Sequence, residues 1–143
     1  MLLCLNSEWQ GCESPQLERG ARRLASELFG DAPRLDLGPS DCDSLDVRDG
    51  VFALDCVVAR FLHALGELEL AAPERVFTIG GTCGAEAAPV AYLGGRHRGL
   101  GAVWFDAHGD LNTPATSPSG HFHGMVLRTL LGDGPSELTD HID

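Results

Sequence analysis

The stretch RVFTIGGTCGAEAAPVAYL, residues 75–93, decides the fold class of this 143-residue chain. Its first part, RVFTIGG, is an apolar run that enters a glycine turn, which is typical of a buried strand. The following EAAPVAYL has the composition of a helix, in which Pro89 is tolerated only within the first turn. A strand, a glycine turn and a helix in succession predict one βα unit of an α/β domain.

Elements of the same two kinds occur on both sides of this unit. Apolar runs predict strands at 1–6, 34–37 and 99–106, and helical spacing predicts helices at 17–29, 51–70 and 123–132. Residues 38–50 are rich in Gly, Pro, Ser and Asp and are predicted to be a loop. The alternation predicts an α/β fold with three α-β-α layers around a parallel sheet. We expect Trp9, Trp104 and Phe105 in its core.

Composition excludes several classes of partner. The formal net charge is −11, so nucleic acid and anionic membranes are not expected to bind. The five cysteines are odd in number and include no C-x-x-C pair, which predicts free thiols rather than a disulfide framework or a structural zinc site. Free thiols, a start without a basic signal segment and no run of membrane-spanning length predict a cytoplasmic location.

A cluster of polar side chains follows the last predicted strand, where sites form in parallel sheets. In VWFDAHGDLNTPATSPSGHFHG, residues 103–124, Asp106, His108 and Asp110 are spaced two apart. An extended backbone would project all three from one face. Carboxylates with an imidazole suit manganese, magnesium or iron. Alternatively, the two aspartates cap the following turn and His108 has no role.

The longer pattern D-A-H-x-D-x-N-T-P followed by S-x-S-G-x-x-H-G-M resembles the arginase/agmatinase (ureohydrolase) superfamily, and most of all its arginase side. W-Q-G near Trp9, the RVFTIGG strand and the GAEAAPVAYL helix are also similar to bacterial arginase-like proteins. The resemblance covers the amino-terminal half of the family. It therefore implies a single arginase-like α/β domain at 1–143, truncated at its carboxyl end.

The resemblance also implies a chemistry. Members of the family bind two Mn²⁺ ions, which activate a water to attack a guanidinium carbon; arginase converts arginine to ornithine and urea in this way. The implied substrate is a small guanidino compound, and the implied assembly is a homo-oligomer. By motif position, the metal ligands are Asp106, His108 and Asp110, the substrate-binding residues are Asn112, Ser117 and Ser119, and the catalytic proton-transferring residue is His123. Agmatinase, another guanidino hydrolase and a truncated non-catalytic relative are the alternatives.

Two departures from the family pattern concern the metal site. The family has G-G-D-H, with a ligating histidine, where this chain has Gly80, Gly81, Thr82 and Cys83. Cys83 is therefore a candidate metal ligand with a softer donor, or else a small buried residue. The family's second ligand motif, S-x-D-x-D-x-x-D-P, does not occur in this sequence, and the terminal residues 140–143 are interpreted as a tail. The chain is thus expected to supply at most one ligand cluster of a dinuclear site.

Overall fold

The structure is a computed structural model that describes residues 1–38 and 42–142. Residues 39–41 of the predicted loop and Asp143 of the predicted tail lie outside the described residues. The strands are β1 (Leu2–Asn6), β2 (Leu35–Asp36), β3 (Val47–Arg48), β4 (Val51–Phe52) and β5 (Val76–Gly80). The helices are α1 (Gln16–Phe29), α2 (Leu54–Ala71), α3 (Ala87–Arg96), α4 (Val126–Leu130) and α5 (Ser136–Thr139).

The main sheet has three parallel strands in the order β2-β1-β5. Leu2 lies opposite Val76, and Asn6 lies opposite Gly80, so β1 and β5 end at the same edge. Successive β1 side chains alternate between the two faces of the sheet. Leu3 and Leu5 pack with α1, whereas Cys4 belongs to the larger core formed by α2, α3 and the carboxyl-terminal helices. The predicted three-layer α-β-α architecture is confirmed.

The helix predictions are confirmed with shifted ends. Pro89 is the third residue of α3, within the first turn, where its missing N–H breaks no helical hydrogen bond. The helix predicted at 51–70 begins only at Leu54. The helix predicted at 123–132 is a 3-10 turn at Phe122–Met125 followed by the short α4.

Part of the loop predicted at 38–50 is a β-hairpin. Asp49 and Gly50 both have positive φ, 51° and 78°, between the antiparallel strands β3 and β4. An Asp-Gly pair with this backbone forms the two-residue turn that matches strand twist. Ala53 also has a positive φ, 51°, which a right-handed helix does not accommodate. The helix predicted at 51–70 therefore begins only after Ala53.

The strand predicted at 99–106 does not form in the described chain. β5 is an edge of the sheet, and residues 101–109 have no backbone hydrogen bonds to another strand. An unpaired segment cannot satisfy its backbone as a strand does. Its apolar side chains are correspondingly exposed, with Val103 at 78% and Phe105 at 95%. The core assignment of Phe105 is wrong; Trp104 is partly buried against the larger core, and Trp9 is also partly buried.

The expectation of free thiols is wrong for two of the five cysteines. Cys42 and Cys56 form a disulfide, whose Cα atoms are 5.2 Å apart. Spacing along the chain did not predict it, because the segment before β3 folds back onto the first turn of α2. The disulfide removes the thiol argument for a reducing compartment. Within residues 1–38 and 42–142, no helix is both long and apolar enough to span a membrane.

Candidate metal site and its surroundings

Three of the four predicted metal ligands converge at the carboxyl edge of the sheet. Ligand atoms of Cys83, Asp106 and Asp110 all lie within 4.8 Å of one another. Cys83 begins the 3-10 turn that follows β5, and the two aspartates follow the apolar segment 100–105. Side chains from two separate parts of the chain therefore meet at one point, although only Cys83 follows a strand of the sheet.

Asp106 is held in an ionised form. Its Oδ1 accepts a hydrogen bond from the backbone N–H of His108 at 2.9 Å, and its Oδ2 accepts one from Cys83 Sγ at 3.5 Å. The His108 amide is the main cause that lowers the pKa of Asp106 below its usual value. Asp106 is exposed as a whole residue, whereas its side chain is 28% exposed.

Asp110 is buried, with 4% of its surface exposed. Its φ of 49° is left-handed, a conformation that aspartate adopts more readily than most residues. Trp104 Nε1 donates to Asp110 Oδ2 at 3.2 Å, and the Asp110 carbonyl accepts from the Arg128 amide at 3.1 Å. These contacts fix the second carboxylate and join it to the start of α4.

His108 does not join this cluster. Its side chain is 83% exposed, and its Nδ1 lies 3.7 Å from Asp106 Oδ1. The expectation that all three motif side chains project from one face required an extended backbone. Instead, the Asp106 side chain accepts a hydrogen bond from the backbone amide of His108, and the chain bends there as in an Asx turn.

The predicted substrate-binding residues lie in one loop that precedes His123. Asn112 Oδ1 accepts a hydrogen bond from the Thr116 hydroxyl at 3.3 Å, and the backbone amide of Asn112 donates to the Gly124 carbonyl at 3.1 Å. Ser117 Oγ accepts from the Gly120 amide, and Ser119 Oγ accepts from the His121 amide. All three side chains therefore stabilise the loop, and the Asn112–Gly124 bond places Asn112 beside His123.

His123 is held by a residue that the sequence did not single out. Its Nδ1 lies 3.1 Å from the carbonyl oxygen of Gly11, in the 3-10 turn that follows β1. The neighbouring His121 lies 3.3 Å from Glu13 through its Nε2, and the two imidazole rings are 5.9 Å apart. The segment after β1 therefore contributes to the site, together with the turn after β5 and the segment 106–123. Its W-Q-G similarity to the family is the sequence feature that could have indicated this contribution.

A cleft of about 450 Å³ opens beside the cluster. Cys83, Glu86 and Asp106 line its polar end, and α3 residues together with the segment 100–105 line its apolar sides. Burial raises the pKa of Glu86, and a hydrogen bond from Thr78 partly offsets that effect. The cleft therefore gives a small molecule access to the edge of the cluster.

The donor set fits a hard divalent cation only in part. The two carboxylates are donors that Mn²⁺ and Mg²⁺ prefer, whereas a thiol is a soft donor. Burial is the main cause that raises the pKa of Cys83 to about 12, followed by the charges of Asp110 and Asp106. The thiol is therefore protonated at neutral pH, and ligation by Cys83 must release a proton.

This requirement predicts a pH dependence. If Cys83 Sγ ligates Zn²⁺, the apparent dissociation constant should fall about tenfold per pH unit from pH 6.5 to 8.5, because the proton becomes easier to remove. Calorimetric titrations at three pH values measure the slope. Cys83→Ser should abolish it, and Cys12→Ser, which removes another free thiol, should preserve it. An equal slope in the parent and in Cys83→Ser would show that Sγ is not a ligand.

Comparison with known proteins identifies the family of this chain. The family profile described as "Arginase family" matches residues 12–140. This chain belongs to the arginase family. The match includes the turn after β5, the DAHGD segment and the loop that leads to His123.

Curated arginases match over shorter stretches. The chain is 47% identical to the arginase of Staphylococcus aureus (strain COL) over 62 residues, which are 43% of this chain and 20% of that protein. It is 58% identical to the arginase of Bacillus subtilis (strain 168) over 41 residues, which are 29% of this chain and 14% of that protein.

Solved arginase structures match over nearly the whole chain. The arginase of Entamoeba histolytica, crystallised with L-ornithine, aligns with a TM-score of 0.80 at 24% identity. The alignment covers 99% of this chain and 52% of the Entamoeba chain. An arginase structure from Bacillus subtilis aligns with a TM-score of 0.69 at 26% identity, covering 97% of this chain and 50% of its own. The fold is thus arginase-like, and the chain spans about half the length of these arginases.

Proposed function

We propose that this chain forms part of a manganese-dependent ureohydrolase of arginase type, which hydrolyses the guanidino C–N bond of arginine to give ornithine and urea. The observation that carries the proposal is the convergence of Cys83, Asp106 and Asp110 within 4.8 Å at the carboxyl edge of the sheet. Membership of the arginase family supports the reaction class. A homo-oligomeric assembly is also proposed on the family resemblance, and the cytoplasmic location predicted from the sequence stays a proposal.

The acidic cluster suits both the cation and a cationic substrate. Asp106 and Asp110 would hold Mn²⁺, and His108 and Cys83 are the further candidate ligands. When bound, the cation lowers the pKa of a coordinated water, which supplies a strong nucleophile at neutral pH. A guanidinium carbon needs such a nucleophile because its positive charge is delocalised. The two carboxylates also attract the positively charged guanidinium.

The loop residues would orient the substrate and move a proton. Asn112, Ser117 and Ser119 present amide and hydroxyl groups that can bind the carboxylate and ammonium of an amino acid. His123 has Nδ1 facing the Gly11 carbonyl, which leaves Nε2 available for proton transfer. A histidine is suited to protonating the departing amine because its ordinary pKa lies near the working pH.

Half of the expected ligand set is missing from this sequence, which contains no S-x-D-x-D-x-x-D-P motif. We therefore expect the purified 143-residue chain to release no measurable urea from arginine with Mn²⁺. The longest natural form of the protein should release urea, and its His123→Asn variant should lose most of that activity. A colorimetric urea assay measures all three proteins.

Each outcome of this assay has a separate meaning. Rapid turnover by the 143-residue chain would contradict the need for a second ligand set. If the longest form hydrolyses agmatine or another guanidino compound in preference to arginine, the arginase assignment is replaced by the corresponding hydrolase. If it hydrolyses none of them, the protein is a non-catalytic relative, an alternative that the substitution of Thr82 and Cys83 for the family's Asp-His pair favours.

A further inference from the structure

Glu8 is a buried carboxylate that the proposed chemistry does not use. It follows β1, and only 4% of its surface is exposed. Its Oε2 accepts a hydrogen bond from the Thr82 hydroxyl, and its Oε1 accepts one from the Gly11 amide. Burial raises the pKa of Glu8, while these two hydrogen bonds and the charges of Arg60 and His123 act in the opposite direction. A carboxylate buried in this way must have partners, and it has two.

The turn after β5 is packed closely around this residue. A Cβ atom on Gly81 would lie 1.9 Å from the carbonyl oxygen of Glu8, so only glycine fits there. A Cβ atom on Gly84 would lie 3.3 Å from Glu8 Oε2. Thr82 Oγ1, which donates to Glu8, also accepts from the Gly84 amide at 3.0 Å. The side chain of Glu8 therefore sits at the junction of the segments that follow β1 and β5.

The other partner of Glu8 leads to His123. The amide of Gly11 donates to Glu8, and the carbonyl of Gly11 lies 3.1 Å from His123 Nδ1. A carbonyl oxygen can only accept a hydrogen bond, so His123 must carry a proton on Nδ1. In the neutral ring, Nε2 then has a free lone pair. The tautomer of His123 is thus set by the position of Gly11, and Glu8 fixes that position.

We propose that Glu8 is a positioning residue, which ties the turn after β5 to Gly11 and thereby holds His123 in its Nδ1–H tautomer. The part of this inference that concerns proton transfer rests on the proposed function, whereas the tautomer does not. Thr82 stands where the family turn has an aspartate, according to the sequence resemblance. In this chain a carboxylate reaches the same point from the end of the neighbouring strand.

The test is the tautomer of His123 in the 143-residue chain, measured from ring ¹⁵N chemical shifts at pH 8.5, where an ordinary histidine is neutral. Glu8→Met fills the same space without accepting hydrogen bonds. We expect it to lower the ratio of Nδ1–H to Nε2–H forms about tenfold, equivalent to ~1.4 kcal/mol of lost orientation. Glu8→Gln should preserve the ratio, because an amide can accept from Gly11 and donate to Thr82.

Glu13→Gln is the matched control, since Glu13 is exposed and contacts the neighbouring His121 instead. It should leave His123 unchanged. An unchanged tautomer in folded Glu8→Met, or an equal shift in Glu8→Gln, overturns the proposal. A majority of the Nε2–H form of His123 in the parent chain would also overturn the proposal, and that measurement requires no variant.

A second variant applies if Glu8→Met does not fold. A Cβ atom on Gly11 would lie 2.8 Å from Glu8 Oε1, so Gly11→Ala should displace the carboxylate while keeping every polar group. It should shift the His123 tautomer in the same direction, and no shift overturns the proposal. In the longest natural form of the protein, Glu8→Met should lower kcat for urea release with little change in KM. If the tautomer shifts but that form has no ureohydrolase activity, the proposed function fails and the positioning role stands.

Discussion

Replacing Asp106 and Asp110 together with alanine should raise the dissociation constant for Mn²⁺ by at least about 100-fold, since loss of even an outer partner of a metal ligand typically costs 10–100-fold. The two carboxylates are the hard donors of the converging cluster, and the protonated thiol of Cys83 cannot replace them at neutral pH. Isothermal titration calorimetry of the 143-residue chain with Mn²⁺ measures the change.

The control must separate ligation from a change in overall charge. Asp31→Ala with Asp140→Ala removes two exposed carboxylates far along the chain from the cluster and changes the net charge by the same amount. Its affinity for Mn²⁺ should differ little from that of the parent. Asp140 also tests the interpretation of residues 140–143 as a tail.

The single variant Asp106→Ala addresses folding. Asp110 is buried and contacts Trp104, so its removal can disturb the loop. Asp106 is more exposed than Asp110, so its replacement should lower the thermal unfolding temperature less than replacement of Asp110 would, while still weakening Mn²⁺ binding. Equal Mn²⁺ affinities in the parent, the single variant and the double variant would show that the aspartates bind no metal. That result would favour the alternative in which they only cap the turn.

The sequence predicted the layers of the fold because their signals are local. The periodicity of α1 and α2 and the glycine turn after β5 depend on neighbouring residues only. A β-strand, in contrast, forms only when a second strand pairs with it. The apolar run 99–106 has the composition of a buried strand, but no strand of the described chain pairs with it, and Phe105 is exposed. Composition could not reveal a missing partner.

Other differences arise from specific local chemistry. The Asp49-Gly50 pair is a strong hairpin signal, and the helical spacing that extends back to Val51 obscured it. The Cys42–Cys56 disulfide depends on how a loop folds back, which spacing does not encode. Glu8 could not be found from the sequence, because a single glutamate after a strand is usually exposed and only the packing of two strand ends buries it.

Changing Cys83 to histidine should lower the Mn²⁺ dissociation constant at least about tenfold at pH 7.5, because a histidine of ordinary pKa needs no proton removed before it ligates. The Cys83 thiol, with its pKa raised to about 12, must lose a proton beside two carboxylates. The imidazole is also a harder donor, so the preference for Zn²⁺ over Mn²⁺ should decrease. Calorimetric dissociation constants for both cations, in the parent and in Cys83→His, measure the change.

Restoring the rest of the family turn should strengthen binding further, but only if Glu8 is changed as well. Thr82→Asp would place a carboxylate against the buried carboxylate of Glu8, and two such groups cannot both ionise at close range. We therefore expect Thr82→Asp with Cys83→His to bind Mn²⁺ no better than Cys83→His alone. Adding Glu8→Gln, which can donate to the new aspartate, should produce the gain. If Cys83→His itself binds Mn²⁺ no better than the parent, Cys83 does not face the cation, and the turn after β5 does not correspond to the family's ligand turn.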